Sequence, residues 1–432
     1  MSADKTEETS IENPQSSLYN HPSMTVTVRS FAKINLGLRI GAAREDGFHE
    51  LLTVYQTIGL HDVIRVSVGR GNGIEIQSAD PRVPKDESNT CFRIVEKAML
   101  AQRAKVRVVI EIEKRLPVQG GLGGASSNAV ACLLGLERAL KKSLPAADRL
   151  RIAAEVGSDL PLFLVGGTVL GVGRGEQVYP LPELPAMACV VVTPKVGVST
   201  PKAFAEWDRL CGQEQGLKPT SSEELNAALK GRSFTDVLDG ALKSNSSTVR
   251  GDSGSRESTA ELRSARPGQR PGPTQSESTS AGLHSDGQAR AAVPTKTGTK
   301  LTVSTGSDRM NELSRGLSAW LSELCSSAPS DFLARGGRAE NPLLALVRAG
   351  IENDFEQVVF PEYPELSSGK RALLRAGAKY ASLSGSGSTL YGLFASREAA
   401  VLAASKLRKQ GWVAQATATL TRRAYWKRIV SG

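Results

Sequence analysis

The stretch Pro117-Val-Gln-Gly-Gly-Leu-Gly-Gly-Ala-Ser-Ser-Asn-Ala129 decides the fold of this chain. A β-branched run, Val106-Arg-Val-Val-Ile-Glu-Ile112, precedes it and predicts a buried strand. An apolar run that continues to Leu140 follows it and predicts a helix that begins near Ser126. The segment is therefore predicted to be a strand, a glycine loop and a helix N-terminus, in that order.

This loop has the chemistry of a phosphate site. Its glycines carry no Cβ, so the backbone can turn through positive φ and its N–H groups can approach an anion closely. The helix start adds free N–H groups and the positive end of a dipole, which suits a phosphate. Ser126 and Ser127 add hydroxyls that can reach phosphate oxygens or a bound metal. A plain turn is the alternative, since no Gly-Lys-Ser/Thr closes a Walker A motif.

Length, charge and cysteine usage limit the classes of function. The chain has 432 residues, 40% of them hydrophobic, which is enough for two domains plus extra material. A net charge of +10 favours acidic partners. Small phosphorylated substrates fit better than nucleic acid, because no basic stripe carries interleaved aromatic residues. The five cysteines are scattered without a C-x-x-C pair, which argues against a disulfide framework or a zinc site and fits a reducing cytoplasm.

The N-terminal region carries two polar features. Residues 1–23 predict a disordered tail without the apolar core of a secretory signal, and no apolar run reaches membrane-spanning length. Alternation over 24–40 then predicts strand, with Lys33 and Asn35 on one face. Such a pair needs a polar partner or a solvated edge. Asp46-Gly-Phe-His49 follows as a turn, and a lone histidine there is more often structural than a ligand.

The next segments predict two strands at 51–60 and 62–68, a capped helix over 89–104, and a short helix over 148–156. Asp159 comes directly before an apolar run. Near a buried wall it must be paired, coordinate a metal or shift its pKa, unless it caps a helix. Residues 166–176 predict a glycine-broken hairpin.

The C-terminal half is interrupted. Residues 241–310 contain no Phe, Trp, Tyr or Ile and predict a disordered insertion that is appended to the fold. Beyond it, 378–394 predicts strand, Ser/Gly turn and strand. The turn Ser384-Gly-Ser-Gly-Ser388 is either a second backbone cradle or a flexible hairpin. Together with a strand at 188–193 and a helix over 397–410, these segments are compatible with a ferredoxin-like arrangement.

Taken together, the motifs resemble the GHMP kinase superfamily. Ala32-Lys-Ile-Asn-Leu36 with Asp46-Gly-Phe-His-Glu50 resembles the branch that phosphorylates a CDP-linked methylerythritol, while the 116–129 loop and Leu383-Ser-Gly-Ser-Gly-Ser388 occur throughout the superfamily. The resemblance implies an α+β fold of two domains. The first, over 24–187, is like domain 2 of ribosomal protein S5, and the second, over 188–425, is ferredoxin-like, with the active site between them.

The resemblance also implies roles for individual residues and a reaction. ATP, with Mg²⁺, donates its γ-phosphoryl group to the 2-hydroxyl of the methylerythritol unit, in isoprenoid precursor biosynthesis. No nucleic acid or membrane partner is implied, and the protein is expected to be a monomer or homodimer. The implied catalytic residues are Lys33 and Asp159. The implied nucleotide-binding residues are Asn89, Lys114, Pro117, Val118, Gln119, Gly120, Gly121, Leu122, Gly123, Gly124, Ala125, Ser126 and Ser127. The implied substrate-binding residues are Asn35, Phe48, His49, Phe204, Gly385 and Ser386.

One departure and two alternatives remain. The family pattern usually has tyrosine where this chain has Phe48, which preserves stacking and loses any hydroxyl contact. Phe48 and Phe204 are expected to sandwich the cytosine, with His49 reading the edge of the base. A GHMP kinase acting on a mevalonate- or homoserine-type alcohol would share the phosphate loop but need no such pocket. A non-catalytic nucleotide-binding regulator would be expected to lack Lys33 or Asp159.

Overall fold

A computed structural model describes residues 24–118, 120–214, 310, 315–316, 347 and 352–430. The expected tail at 1–23 lies outside the described residues, as does the expected insertion at about 241–310 except for Met310. Gln119 of the glycine loop lies outside them too. Helices and strands are numbered here in chain order over the described residues.

The described part of the chain begins with two long antiparallel strands, β1 (Met24–Ala43) and β2 (His49–Gly69). Two separate strands were predicted at 51–60 and 62–68, and this prediction is wrong. Phe31 and Lys33 of β1 pair with His61 and Thr57, so two positions on β1 face four on β2. The interruption is therefore a bulge within one strand, which bends the strand without ending it.

The first sheet has six strands in the order β3-β4-β2-β5-β6, with β1 also paired to β2. Strands β3 and β4 are parallel and the other pairs are antiparallel. Apolar residues of α1 to α4 and of these strands form its core. The elements are β3 (Gly73–Gln77), α1 (Thr90–Gln102), β4 (Arg107–Glu113), α2 (Gly124–Ala139), α3 (Ala146–Val156), α4 (Leu160–Val165), β5 (Thr168–Val172) and β6 (Gln177–Pro180). The predicted strand–loop–helix unit is confirmed as β4, loop and α2.

The second sheet has the strand order β10-β7-β9-β8, and all its pairs are antiparallel. The described elements are β7 (Ala188–Val192), α5 (Thr200–Glu214), α6 (Phe355–Glu362), α7 (Pro364–Arg375), β8 (Tyr380–Leu383), β9 (Leu390–Phe394), α8 (Arg397–Lys409) and β10 (Ala414–Ala418). The order of elements is a strand, helices, two strands, a helix and a last strand. This is the ferredoxin-like arrangement, so that prediction is confirmed.

Strand β1 contributes to the cores of both sheets. Leu38 and Ile40 belong to the core of the second sheet. The backbone of Leu38 exchanges hydrogen bonds of 2.9 Å with Glu352 O and Asp354 N. Arg39 and Asp354 form an ion pair of 2.8 Å, with exposed fractions of 3% and 0%. Asp354 also accepts from Ile40 N at 2.9 Å, so it ties β1 to the start of α6 through backbone and side chain.

A last helix, α9 (Arg422–Ile429), returns to the first sheet. Tyr425 and Ile429 are buried in the first core, and the Tyr425 hydroxyl donates to Phe163 O at 2.7 Å. Val430 forms a bridge with Val28 of β1. The sequence analysis did not predict α9, because the segment is short and mostly charged. Part of the predicted C-terminal domain therefore packs on the N-terminal sheet.

Candidate active site

Lys33 and Asp159 lie together, 3.3 Å apart between Nζ and Oδ2. Lys33 is 4% exposed on β1, while the Asp159 side chain is 32% exposed. Asp159 occupies the N-cap position of α4, but its side chain makes no capping hydrogen bond. The helix-cap alternative is therefore excluded, and the aspartate is a paired carboxylate that solvent can reach.

A chain of hydrogen bonds orients the lysine. Lys33 Nζ donates to Asn35 Oδ1 at 2.7 Å, and Asn35 Nδ2 donates to Thr53 Oγ1 at 2.8 Å. The Thr53 hydroxyl in turn donates to Gly37 O at 2.8 Å. Lys33 and Asn35 are bonded to each other, as expected of two residues on one face of a strand. Both are buried, so the alternative of a solvated strand edge is excluded. Two strands thus hold the ammonium group in a fixed position.

Tyr55 of β2 is the principal residue that the sequence analysis missed. Its hydroxyl donates to Asp159 Oδ1 at 3.0 Å. Burial, together with the negative charge of Asp159, raises the pKa of Tyr55 well above its usual value. The phenol therefore stays protonated and remains a donor. An aromatic residue within an apolar strand reads as core, so no sequence signal distinguished it.

The glycine loop packs directly against this pair. Gly121 and Gly123 have φ of 75° and 68°, and Lys33 N donates to Leu122 O at 3.0 Å. A Cβ on Gly123 would lie 3.0 Å from Lys33 Cγ. The first intrahelical bond of α2 runs from Ser127 N to Gly123 O, which leaves the N–H groups of the preceding helical residues without intrahelical acceptors. An anion site of backbone N–H groups therefore adjoins Lys33.

One expectation about the loop is corrected. The Ser127 hydroxyl is buried, donates to Gly124 O at 3.1 Å and accepts from Ser30 at 2.7 Å. A serine in the first turn of a helix can bond back to a nearby carbonyl in this way. Its hydroxyl is thus already used within the protein. Ser126 is partly exposed.

The Ser/Gly turn interlocks with the glycine loop. Ser384 Oγ donates to Gly121 O at 2.9 Å, and Thr389 N donates to Gly120 O at 3.2 Å. A Cβ on Gly385 would lie 3.6 Å from both Lys33 Nζ and Asn35 Oδ1. The turn from Ser384 to Thr389 is buried throughout, so the flexible-hairpin alternative is excluded. Gly385, an expected substrate residue, therefore lies beside Lys33 and Asn35. Ser386, the other expected substrate residue of this turn, follows it directly.

The two expected nucleotide-flanking residues have internal partners. Lys114 Nζ bonds Asp62 Oδ2 at 2.6 Å, with exposed fractions of 8% and 0%, and a Cβ on Gly124 would lie 3.3 Å from that nitrogen. Lys114 thus lies beneath the start of α2. Asn89 is the N-cap of α1: its Oδ1 accepts from Cys91 N at 2.9 Å and its Nδ2 donates to Pro84 O at 2.6 Å.

The residues expected to bind the cytosine make two ring contacts in this structure. Phe204 stacks on His49, with ring centroids 4.8 Å apart and an interplanar angle of 12°. That distance is a direct stacking contact between these two rings. The ring of Phe48 is 49% exposed and lies 4.9 Å from the guanidinium carbon of Arg174. His49 Nε2 also bonds Asp208 Oδ1 at 2.6 Å, a partner that the sequence did not indicate.

The turn between β5 and β6 connects these two clusters. A Cβ on Gly175 would lie 2.4 Å from the Tyr55 hydroxyl, while the adjacent Arg174 lies over Phe48. On the other side, the Thr200 hydroxyl at the start of α5 bonds the Ser386 hydroxyl at 2.7 Å. The glycine loop, the Lys33–Asp159 pair and the aromatic cluster are therefore linked through this turn and through Ser386.

The described residues contain neither a ready-made metal site nor a membrane-spanning helix. No group of three or more His, Cys, Asp or Glu side chains is placed to hold a metal ion within that part of the chain. None of the described helices is long and apolar enough to cross a membrane.

Comparison with known proteins identifies the family. The family model for the GHMP kinases N terminal domain matches residues 89–167. The model for the GHMP kinases C terminal domain matches residues 339–411. A 4-diphosphocytidyl-2-C-methyl-D-erythritol kinase of Solibacter usitatus (strain Ellin6076) is 30% identical over 405 residues, 94% of this chain and 92% of the relative. The chain belongs to the 4-diphosphocytidyl-2-C-methyl-D-erythritol kinase family of GHMP kinases. A second family member, from Saccharopolyspora erythraea, is 40% identical over 224 residues, which cover 50% of this chain and 69% of that one.

Solved structures confirm the fold of this family member. A crystal structure of 4-(cytidine 5'-diphospho)-2C-methyl-D-erythritol kinase gives a TM-score of 0.53 at 23% identity, covering 91% of this chain and 98% of that one. A homoserine kinase from Cytophaga hutchinsonii gives 0.50 at 17% identity, covering 94% and 98%. The chain therefore has the two-domain GHMP kinase fold, with a first domain like domain 2 of ribosomal protein S5 and a ferredoxin-like second one. Because both kinases share it, this fold alone does not specify the alcohol.

Proposed function

We propose that this chain transfers the γ-phosphoryl group of ATP to the 2-hydroxyl of 4-diphosphocytidyl-2-C-methyl-D-erythritol. The observation that carries the proposal is the ion pair of Lys33 with Asp159 beside the glycine loop. Phosphoryl transfer asks a protein mainly for positioning and charge stabilisation. A lysine, a carboxylate and an anion-binding loop in contact are the groups that meet this demand.

In the proposed reaction, Asp159 accepts the proton of the attacking hydroxyl as a bond forms between its oxygen and the γ-phosphorus. The bond from that phosphorus to the β,γ-bridging oxygen breaks, and ADP leaves. Lys33 stabilises the negative charge on the transferred group and on the attacking oxygen. Its chain of hydrogen bonds through Asn35 and Thr53 means that no reorganisation is needed at the moment of reaction.

The residues of the loop fit a triphosphate. Gly121 and Gly123 have positive φ, and a Cβ at Gly121 would lie 2.1 Å from Ser384 O, so neither position accepts a side chain. The N–H groups at the start of α2 and the hydroxyl of Ser126 are the donors for phosphate oxygens. Mg²⁺, when bound with the nucleotide, would neutralise part of the charge on its phosphates.

The cytidine end of the substrate is assigned to the aromatic cluster. Phe48 is exposed enough to stack on a base, and Phe204 of α5 stacks on His49, the residue that follows Phe48. We assign the cytosine to the space between Phe48 and Phe204, with His49 at the edge of the base. The family's usual tyrosine is Phe48 here, so this ring contributes stacking alone.

The rival proposal is a GHMP kinase for a mevalonate- or homoserine-type alcohol. It is disfavoured because both relatives described above carry the name of the CDP-linked methylerythritol enzyme. The test is ADP release by the purified protein with ATP and a panel of the CDP-linked methylerythritol, mevalonate and homoserine. We expect turnover with the first alone. Turnover only with another alcohol would replace the substrate, and turnover with none would favour the non-catalytic regulator.

The proposal also includes a reducing cytoplasm as the compartment and a monomer or homodimer as the assembly. Three cysteines of the described part, Cys91, Cys132 and Cys189, are free and buried. Burial raises the pKa of the Cys189 thiol to about 12 and that of Cys132 well above its usual value. Such thiols are unreactive core residues, which agrees with a compartment that forms no disulfides.

A further inference from the structure

We propose that Tyr55 is a positioning residue for phosphoryl transfer: its hydroxyl fixes the Asp159 carboxylate in the orientation that accepts the proton. This inference rests on the proposed role of Asp159 as the base. It starts from the two oxygens of that carboxylate, which face different partners. Oδ2 faces Lys33 Nζ at 3.3 Å and Oδ1 accepts from Tyr55 OH at 3.0 Å.

Within the described residues, the Asp159 side chain makes no polar contact besides those to Lys33 and Tyr55. It stands at the N-cap of α4 without the capping bond that would hold it to the backbone. The following residues of α4, Leu160 to Val165, are apolar and supply no charged or hydroxyl partner. Without Tyr55, the carboxylate would therefore be free to rotate about its Cβ–Cγ bond, held only through Oδ2. A rotation of that kind changes which lone pair faces the attacking hydroxyl.

Tyr55 itself is held rigidly by the hairpin of β5 and β6. The residue is 2% exposed. A Cβ on Gly171 would lie 2.4 Å from Tyr55 Cε2, and a Cβ on Gly175 would lie 2.4 Å from its hydroxyl. Any side chain at either glycine would thus displace the ring or the hydroxyl. The glycines of this hairpin are explained by the space that the tyrosine needs.

The electrostatic surroundings keep the hydroxyl a donor. The titratable groups that face this pair are Lys33 from β1 and Glu176 from the β5–β6 turn. Glu176 and Asp159 both disfavour a tyrosinate, so the proton stays on the phenol and points to the carboxylate. Tyr55 therefore remains a hydrogen-bond donor that holds Oδ1 of Asp159 in place.

Tyr55→Phe tests the proposal because it removes the hydroxyl and keeps the ring. We expect kcat to fall about 10-fold, the worth of one hydrogen bond to a charged group, with both KM values within about twofold. A mere packing role would lower the melting temperature and leave kcat unchanged, and this result would overturn the proposal.

Tyr425→Phe is the matched control. Its hydroxyl is equally buried and donates to Phe163 O on α4, so the variant removes a hydrogen bond to the same helix without touching Asp159. We expect a lower melting temperature with unchanged kcat. Gly175→Ala is a second variant, because it displaces the Tyr55 hydroxyl while retaining it, and it should reproduce the kinetic effect of Tyr55→Phe.

Asp159→Asn separates this inference from the proposed function. If Asp159→Asn abolishes turnover while Tyr55→Phe matches the wild type in kcat, only the role of Tyr55 is wrong. If Asp159→Asn retains turnover, the base assignment fails and the inference fails with it. If the wild type prefers another alcohol, the same variants are measured with that alcohol, so an error in the substrate leaves the test intact.

Discussion

At the residue scale, the proposed chemistry depends on one carboxylate and the groups that hold it. The sequence indicated Lys33 and Asp159 through separate motifs, and the structure brings them to 3.3 Å. It gave no indication of Tyr55 or Asp208, since an aromatic residue in an apolar strand and an aspartate on an exposed helix face are both common. Single residues of common type become visible only when distant elements are packed together.

Replacing the carboxylate tests the proposed base directly. Asp159→Asn should lower kcat by ~10²–10⁴, the usual worth of a positioned acid–base group, because an amide cannot accept the proton. The KM for ATP should change little, since the glycine loop holds the triphosphate. Asp148→Asn, in an exposed pair with Arg151 on α3, is the control and should match the wild type. Near-normal turnover of Asp159→Asn in an ADP-release assay would contradict the mechanism.

Truncating Phe204 tests the assignment of the cytidine pocket. Phe204→Ala should raise KM for the CDP-linked alcohol by ~10–100-fold, since stacking of one base on an aromatic ring is worth ~1–3 kcal/mol. The KM for ATP should hardly change, because the adenine is bound elsewhere. Phe204 covers one face of the His49 ring, so the variant also exposes that imidazole to solvent. The exposure of His49 is a second readout, independent of KM. Equal weakening of both substrates would remove the pocket from this cluster.

At the element scale, the site depends on two turns that meet, the glycine loop and the Ser/Gly turn. The sequence predicted a loop between a strand and a helix for the first and a turn between two strands for the second, and both positions are confirmed. Their mutual contact could not be predicted, because it depends on how the two sheets pack. The same reason explains the errors in element bounds: β2 continues through a bulge because β1 pairs with it on both sides, and α6 and α9 are stabilised by tertiary packing rather than by propensity.

A methyl group at the contact of the two turns tests their interlock. Gly121 has φ of 75° and a Cβ there would lie 2.1 Å from Ser384 O. Gly121→Ala should therefore displace the loop and raise KM for ATP about tenfold, because a misplacement of 1 Å costs up to ~100-fold in rate. Gly411→Ala is the control, with φ of 89° and no atom within 4 Å of the added Cβ. If both variants lose stability alike and keep normal KM for ATP, the interlock has no role in binding.

At the scale of the whole molecule, three tyrosines, Tyr55, Tyr391 and Tyr425, are buried with exposed fractions of 2%, 0% and 2%. Burial is the main cause that raises the pKa of each above its usual value. In the unfolded chain these phenols lose their protons near pH 10, while in the folded protein they keep them. The unfolded state therefore binds fewer protons above pH 10, and the free energy of unfolding falls as the pH rises.

Alkaline unfolding measures this effect. The contribution of the three tyrosines is fully present below pH 10 and should be lost by about 4 kcal/mol per pH unit above it, at about 1.4 kcal/mol for each group. Urea unfolding at a series of alkaline pH values, followed by circular dichroism, gives the slope. Tyr425→Phe should reduce that slope by about 1.4 kcal/mol per pH unit, the contribution of one group. A slope that is the same in the variant would mean that Tyr425 ionises in the folded protein.

The return of α9 to the first sheet has a consequence for how the protein is made. The Arg29 side chain donates to Arg428 O across 399 positions of the chain. At about 5–20 residues per second, a ribosome needs roughly 20–80 s to synthesise the interval between these two residues. Throughout that time the face of β1 that α9 covers is exposed in the nascent chain. The first domain to emerge is therefore among the last to be completed.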